Sequence, residues 1–166
     1  MRPLIQLSDV DIDALIHEPK NTPASLSPLR LNERLGHRRK ECPVSSASGN
    51  EFFINVRQTV RNPLNFSVIL SYRIPGYTTL FRLRRYNGKH GGHTNEIEGN
   101  HLGDECHIHT ATERYQKLGG DEESFAVETT RYSDLNGAIR CLLEDCGFTP
   151  PPPDPQFNLT FPAPTP

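Results

Sequence analysis

The sequence of 166 residues contains no tryptophan, one methionine and no apolar run long enough to cross a membrane. A spanning helix needs about 20 consecutive apolar residues, and the first residues also lack the apolar core of a secretion signal. These absences predict a cytoplasmic protein with no membrane partner. The four cysteines form no CxxC pair, which indicates reduced thiols and no disulfide framework.

Three catalytic motifs are also missing from the sequence. It has no glycine-rich phosphate loop, no GxSxG elbow and no HExxH helix, so we do not expect a kinase, a serine hydrolase or a zinc protease. One pattern, His107-x-His109-x3-Glu113, matches part of the metal-binding motif of cupins. The glycine that opens that motif is replaced by His101, and Glu113 lies in a predicted helix. The prediction is therefore a site without metal or cofactor, with a cupin-like metal site as the less favoured alternative.

Proline is abundant, and its 15 residues concentrate toward the two ends of the chain. Residues 1–50 are predicted to form an N-terminal helix and an irregular cover segment. Within them, the charged run at residues 37–40 is interpreted as a solvated loop. Residues 149–166 are predicted to be a Pro-rich extended tail. The core domain is then left to residues 51–148.

The middle of the chain has the pattern of an α+β domain. Strands are predicted over residues 52–60, 66–72, 77–86 and 107–109, and residues 122–130 are predicted to be loop or strand. Helices are predicted over residues 8–18, 111–118 and 134–145, with Ser8, Thr110 and Ser133 as their N-caps. Short turns between strands indicate an antiparallel meander, and the last helix carries an apolar stripe. The predicted fold is therefore an antiparallel sheet of four to five strands with a C-terminal helix packed on one face.

Histidines are concentrated in one part of this domain, since residues 80–116 contain five of the seven. Because side chains alternate along a strand, His107 and His109 are predicted to share one face while Ile108 enters the core. In the arginine-rich strand before them, strict alternation separates two sets of side chains. Phe81, Leu83 and Arg85 form one set, and Leu80, Arg82, Arg84 and Tyr86 form the other.

These residue types suit the cleavage of RNA without a metal. Attack by the 2′-hydroxyl needs a base, an acid and a cation that stabilises the phosphorane. Histidine can supply the first two, and arginine can supply the third. We assign the catalytic roles to His107, His109 and Arg85. The candidates for substrate binding are Arg82, Arg84, Tyr86, Lys89, His90, His93 and Tyr115. The alternative is that the imidazoles only form hydrogen bonds to backbone or carboxylate groups.

The distribution of charge points to a polyanion as partner. The net charge is −2, yet residues 57–93 hold seven Lys or Arg and no Asp or Glu. Residues 94–166 hold four basic and thirteen acidic residues. A basic block favours binding of RNA or another polyanion, and we expect Arg84→Glu to weaken it more than Arg39→Glu. The alternative is that the basic strands pair with the acidic C-terminal half.

One pattern resembles known proteins. It consists of Leu83-Arg84-Arg85-Tyr86-Asn87, several histidines, the pair His107-x-His109 and a C-terminal helix. Over about residues 80–147 it resembles small bacterial families of unknown function and, more distantly, TumE-like toxins of toxin–antitoxin pairs. The toxin resemblance implies an endoribonuclease that is inhibited by an antitoxin protein, with roles for Arg85, Tyr86, His107 and His109. The long N-terminal third and the Pro-rich tail depart from that family.

The sequence therefore leads to two alternative predictions of function. The first is a toxin-like protein acting on RNA as a metal-independent endoribonuclease. The second is a non-catalytic binding module that docks a protein or nucleic-acid partner in a phage-defence or counter-defence setting. Substitution of His107 and His109 separates the two, because only the enzyme requires both imidazoles.

Overall fold

The computed structural model of the protein describes residues 6–26 and 29–149. The Pro-rich tail predicted for residues 149–166 therefore lies outside the described residues, except for Thr149. The helices are α1 (Asp9–His17), α2 (Glu113–Leu118) and α3 (Leu135–Asp145). The strands are β1 (Lys20–Asn21), β2 (Asn32–Arg34), β3 (His37–Val44), β4 (Phe52–Thr59), β5 (Phe66–Arg73), β6 (Leu80–Asn87), β7 (His93–Asn95), β8 (Asn100–Leu102), β9 (His107–Thr110), β10 (Phe125–Glu128) and β11 (Phe148–Thr149).

The α+β fold is dominated by one antiparallel sheet of seven strands, in the order β10-β9-β6-β5-β4-β3-β2. Two further pairs lie outside it, namely β1 with β11 and β7 with β8. The predicted class and the C-terminal helix are confirmed, but the predicted count of four to five strands is wrong. The additional strands are β2 and β3, which come from the segment interpreted as an irregular cover, together with β10.

Strand β3 is one of the strands missing from the predicted count. Its charged residues 37–40 were interpreted as a loop, yet β3 pairs with β4 along its whole length. Charges are compatible with a strand whose one face is open to solvent. Pro43 is compatible as well, because β2 pairs only with residues 37–39 and leaves that end of β3 at the edge of the sheet.

The core lies between one face of the sheet and the helices α1 and α3. Alternate residues of the central strands are buried there, among them Phe52, Ile54 and Val56 of β4. The predicted stripe of α3 is confirmed, since Leu135, Ala138, Ile139 and Leu142 are all buried. Together these apolar side chains fix the two helices on one side and leave the opposite face of the sheet to polar residues.

The helix termini follow capping rules, at positions that differ slightly from those predicted. The Ser8 hydroxyl accepts a hydrogen bond from the Asp11 amide at 3.1 Å, as predicted. The caps of α2 and α3 are Thr112 and Asp134 rather than Thr110 and Ser133. In both cases the observed cap lies close to the predicted one and accepts from the backbone N–H three residues later.

A β-bulge in β6 changes which arginines share a face. Arg82 lies opposite Ser71 and Arg84 lies opposite Leu70, so Leu83 is an extra residue in the strand. The predicted strict alternation is therefore wrong. Two sets result from the observed register. Arg82, Arg85 and Asn87 lie on the face opposite the helices, where Asn87 is buried, whereas Phe81, Arg84 and Tyr86 face the helices.

Candidate functional site

The open face of the sheet carries a row of polar side chains that runs across five neighbouring strands. The row passes from β3 through β4, β5 and β6 to β9, and its members lie directly opposite one another. They are Arg39, Arg57, Ser67, Asn87 and His107. The next row on the same face brings Arg85 opposite His109. Residues distant in sequence thus form one continuous polar row, in which Ser67, Asn87 and His107 are buried.

Four histidines meet at one end of this surface, around a pocket of about 200 Å³ that Arg85 also lines. The rings of His107 and His109 are 4.9 Å apart between centroids, and the His93 ring lies 4.7 Å from that of His109. His90 lies 5.6 Å from His107. Ile108 packs against the apolar core on the other side of the sheet, as the alternation predicts.

One nitrogen of each of three rings is occupied by a backbone carbonyl. His107 Nδ1 bonds the carbonyl of Glu105 at 2.8 Å, and His109 Nδ1 bonds that of Glu123 at 2.8 Å. His93 Nε2 bonds the carbonyl of Ser124 at 2.7 Å. A carbonyl only accepts, so each of these nitrogens carries the hydrogen. The second nitrogen of His107 and of His109 keeps a lone pair when the ring is neutral.

The surroundings keep the buried rings neutral. Burial, followed by the nearby positive charge of Arg85, lowers the pKa of His109 to about 3. Burial is also the main cause that lowers the pKa of His107, and partial desolvation lowers that of the more exposed His90. At neutral pH these imidazoles are hydrogen-bond acceptors and bases rather than cations.

Acid is expected to destabilise the protein through these rings. Below pH 6.5 the unfolded chain protonates its histidines, whereas folded His109 stays neutral down to a pKa of about 3. The unfolded state then binds more protons, so the free energy of unfolding falls with decreasing pH by up to about 1.4 kcal/mol per unit for each such ring. Urea unfolding of the wild type and of His109→Gln at several pH values measures this slope. An unchanged slope in the variant would show that folded His109 is protonated.

Arg85 is held at the wall of the pocket by a buried carboxylate. Glu123 is fully buried and forms ion pairs with Arg85 and, at 3.1 Å, with Arg82. Its second oxygen, Oε2, has no hydrogen-bond partner within the described part of the chain. Burial raises the pKa of Glu123, and the guanidiniums of Arg85 and Arg82 oppose that shift. The carboxylate thus orients Arg85 and also neutralises part of its charge.

Two of the residues predicted to bind substrate lie on the face of the sheet that the helices cover, away from the pocket. Tyr86 is buried against α3 and donates a hydrogen bond to Asp145 Oδ2 at 2.8 Å. Arg84 donates to the Tyr86 hydroxyl at 3.3 Å and lies 3.6 Å from Asp145. The structure therefore does not bring Arg84 and Tyr86 into the pocket, because the bulge at Leu83 directs both side chains to the helices.

The other predicted binding residues are distributed differently. Tyr115 is buried away from the pocket, and its hydroxyl donates to Glu98 Oε2 at 2.6 Å. Arg82 is on the open face but pairs with acidic residues of the segment before β10. Lys89 is exposed and lies 3.7 Å from Glu105. Of the predicted set, the pocket itself brings together Arg85, His90, His93, His107 and His109.

The structure also adds residues that the sequence pattern did not single out. Asn87 donates to His107 Nε2 at 3.4 Å and accepts from Ser67 at 2.8 Å. Asn95 bonds both backbone groups of Ala126, at 2.9 and 2.8 Å, and so fixes the strand that carries His93 against the edge of the sheet. Asn87 follows Arg85 by two positions and was detectable by alternation, whereas the contacts of Asn95 leave no local signal in the sequence.

This geometry defines a class of protein: an antiparallel sheet backed by helices on one face, with a histidine pocket on the other. Residues 7–147 match the family of unknown function DUF6978, and the chain belongs to that family. No curated protein and no solved structure matches the chain. The match agrees with the expected resemblance to a family of unknown function, and it adds no support for the resemblance to TumE-like toxins.

The described part of the chain lacks two features, a cluster of metal-ligating side chains and a membrane-spanning helix. Within residues 6–26 and 29–149, no group of three or more His, Cys, Asp or Glu side chains could hold a metal ion. In the same part of the chain, no helix is both long and apolar enough to cross a membrane.

Proposed function

We propose that the protein binds RNA on the open face of the sheet and cleaves it in the histidine pocket as a metal-independent endoribonuclease. The observation that carries the proposal is the pairing of two neutral imidazoles with one guanidinium. His107 and His109 lie 4.9 Å apart, and Arg85 is opposite His109 in the sheet. A base, an acid and a cation are the groups that this reaction needs.

The reaction can be written with these three side chains. One imidazole accepts the proton of the ribose 2′-hydroxyl, and the oxygen attacks the adjacent phosphorus. Arg85 stabilises the additional negative charge. The bond to the 5′-oxygen breaks, and the second imidazole transfers a proton to that oxygen; it takes up this proton from water when the phosphate binds, because the bound phosphate raises its pKa. The products are a 2′,3′-cyclic phosphate and a 5′-hydroxyl, and water returns both rings to their starting protonation.

The test is cleavage of single-stranded RNA in the presence of excess chelator. The expected result is cleavage with a 2′,3′-cyclic phosphate on the upstream product. A DNA strand of the same sequence is the matched control and should remain intact, because it lacks the nucleophile. Cleavage of the DNA strand, or loss of RNA cleavage on chelation, would contradict the proposal.

A second candidate is a binding module without catalysis. Its support is that Glu123 already neutralises part of the charge on Arg85, and that burial disfavours the imidazolium form of His109. In this case the open face docks RNA or a protein partner, for instance in phage defence. A toxin-like role fits the enzyme instead, with an antitoxin protein as the inhibitory partner. Unchanged function after substitution of His107 and His109 would favour the binding module.

Binding of RNA is expected to depend steeply on salt. Each phosphate neutralised on a single strand contributes about 0.7 to the slope of log affinity against log salt concentration. Arg57→Glu should reduce both the affinity and the slope, because Arg57 lies on the open face next to Ser67. Arg84→Glu should reduce the slope less, because Arg84 faces α3. Fluorescence anisotropy over a range of salt concentrations provides the measurement, and a flat response would exclude nucleic acid as the partner.

A further inference from the structure

A second concave site lies on the open face, at the end of the sheet opposite the histidine pocket. It is a groove of about 750 Å³ between the β2–β3 hairpin and β4. Four basic side chains line it, together with one imidazole and one carboxylate. They are Arg34, Arg39, Lys40, Arg57, His37 and Glu41. The predominance of cations suits an anionic ligand.

Two arginines of this groove have no carboxylate partner in the described part of the chain. Across residues 6–26 and 29–149, neither Arg39 nor Arg57 forms an ion pair within 4.0 Å. Burial, followed by the positive charges of Arg39 and Arg85, lowers the pKa of Arg57. Three guanidiniums on one face are therefore close enough to repel each other. A bound anion would relieve that repulsion.

Hydrogen bonds connect the groove to the histidine pocket. Arg57 donates to the Ser67 hydroxyl at 3.5 Å, and Ser67 donates to Asn87 Oδ1 at 2.8 Å. The Asn87 amide then reaches His107 Nε2 at 3.4 Å. Neighbouring strands are about 4.8 Å apart, so the four steps from β3 to β9 span about 19 Å. Such a path holds no more than about six nucleotides at a stacked rise of about 3.4 Å.

The position of Glu41, the one carboxylate among the groove residues, indicates which row of the sheet an anionic ligand would follow. Glu41 lies opposite Asn55, in the row next to the one that contains Arg39 and Arg57. A phosphate would be repelled by Glu41 and attracted along the arginine row. At the rim, Leu35 has a φ of 52° and a side chain that is 88% exposed. An apolar group held in this uncommon conformation can contact a base or a ribose beside the phosphates.

We propose that the groove binds backbone phosphates of a single-stranded RNA whose scissile phosphate occupies the histidine pocket. The strand crosses the sheet from β3 to β9, along the row of Arg39 and Arg57. This inference rests on the proposed function and defines its substrate as an oligonucleotide rather than a dinucleotide. Arg39 and Arg57 act in binding and take no part in the bond-breaking step.

The test compares an RNA dinucleotide with an octamer as substrates of the full chain. Arg39→Gln and Arg57→Gln should each raise KM for the octamer about tenfold, the ratio for one lost charge-assisted contact. The change in kcat/KM for the dinucleotide, which is too short to reach the groove, should be much smaller than the change for the octamer. Arg140→Gln is the matched control, because Arg140 is exposed on α3 behind the sheet. Equal effects on the two substrates, or no effect on the octamer, would overturn the proposal.

A binding measurement separates failure of this inference from failure of the proposed function. The probe is a labelled octamer that carries 2′-O-methyl groups and cannot be cleaved. If the octamer binds, and Arg39→Gln and Arg57→Gln weaken it while Arg140→Gln does not, the groove subsite stands even without cleavage. If cleavage occurs but the variants bind normally, the proposed function stands and the groove subsite is overturned. Equal affinity for an acidic peptide of matched charge would also overturn the assignment to RNA.

Discussion

Replacement of His107 or His109 by glutamine is expected to lower the rate of RNA cleavage by about 10² to 10⁴, the range for loss of a general acid or base. Glutamine retains an N–H that can bond the carbonyls of Glu105 and Glu123, but its amide does not titrate near neutrality. The lost property is therefore proton transfer. Single-turnover rates with saturating protein measure it directly.

Both histidines are buried, so a loss of folding must be separated from a loss of chemistry. Circular dichroism and urea unfolding of each variant provide that check, and affinity for an uncleavable RNA should change little. His17→Gln is the control, because His17 is exposed on α1 and outside the pocket. A folded His109→Gln variant that cleaves at the wild-type rate would exclude His109 from the reaction.

Replacement of Lys20 by methionine is expected to lower the free energy of unfolding by roughly 3 kcal/mol, because it leaves several carbonyls without a donor. The Lys20 side chain is buried, and Nζ lies 2.7 to 3.0 Å from four backbone oxygens. Those oxygens belong to Leu15, Ile16, Glu18 and Cys146. The ammonium thereby joins the end of α1 to the end of α3.

The acid–base behaviour of Lys20 fits this role at neutral pH. Burial lowers the pKa of Lys20 to about 8, so the group is still mainly protonated at pH 7. Lys117→Met is the matched control, since Lys117 is exposed on α2 and pairs with Glu113. It should change stability by less than about 0.5 kcal/mol. If urea unfolding gave equal values for the two variants, the contacts of the Lys20 ammonium with the four carbonyls would not stabilise the fold.

Where hydrophobic periodicity is strong, the sequence predicts the fold well. Helix α3 and strands β4, β5 and β9 begin and end close to their predicted positions. Strands β2 and β3 were missed because charges and Pro43 weaken their apolar pattern. Those residues are compatible with a strand only because one face is open to solvent and the pairing with β2 is short. Both features depend on how strands distant in sequence pair, so the local sequence does not reveal them.

The same limit applies to the site. Alternation within β9 was sufficient to predict that His107 and His109 share a face. The pairing of Arg39 with Arg57 depends on the register of β3 and β4 and has no local signature. The sequence predicts that Arg84→Glu weakens binding of a polyanion more than Arg39→Glu does. The positions of the two side chains in the structure predict the opposite order. Arg84 faces α3, whereas Arg39 lines the groove.

Because of the bulge at Leu83, the effect of deleting one residue from β6 depends on where the deletion falls. Some deletions keep the site residues on the open face, and others do not. Leu83 is the residue without an opposite partner, so a relative that lacks it can keep Arg82 and Arg85 on the open face. Loss of one residue between Arg85 and Asn87 would instead turn one of these two side chains toward the helices. Among members of the family, single-residue gaps should therefore be found at the position of Leu83. They should be rare in the two positions that follow Arg85.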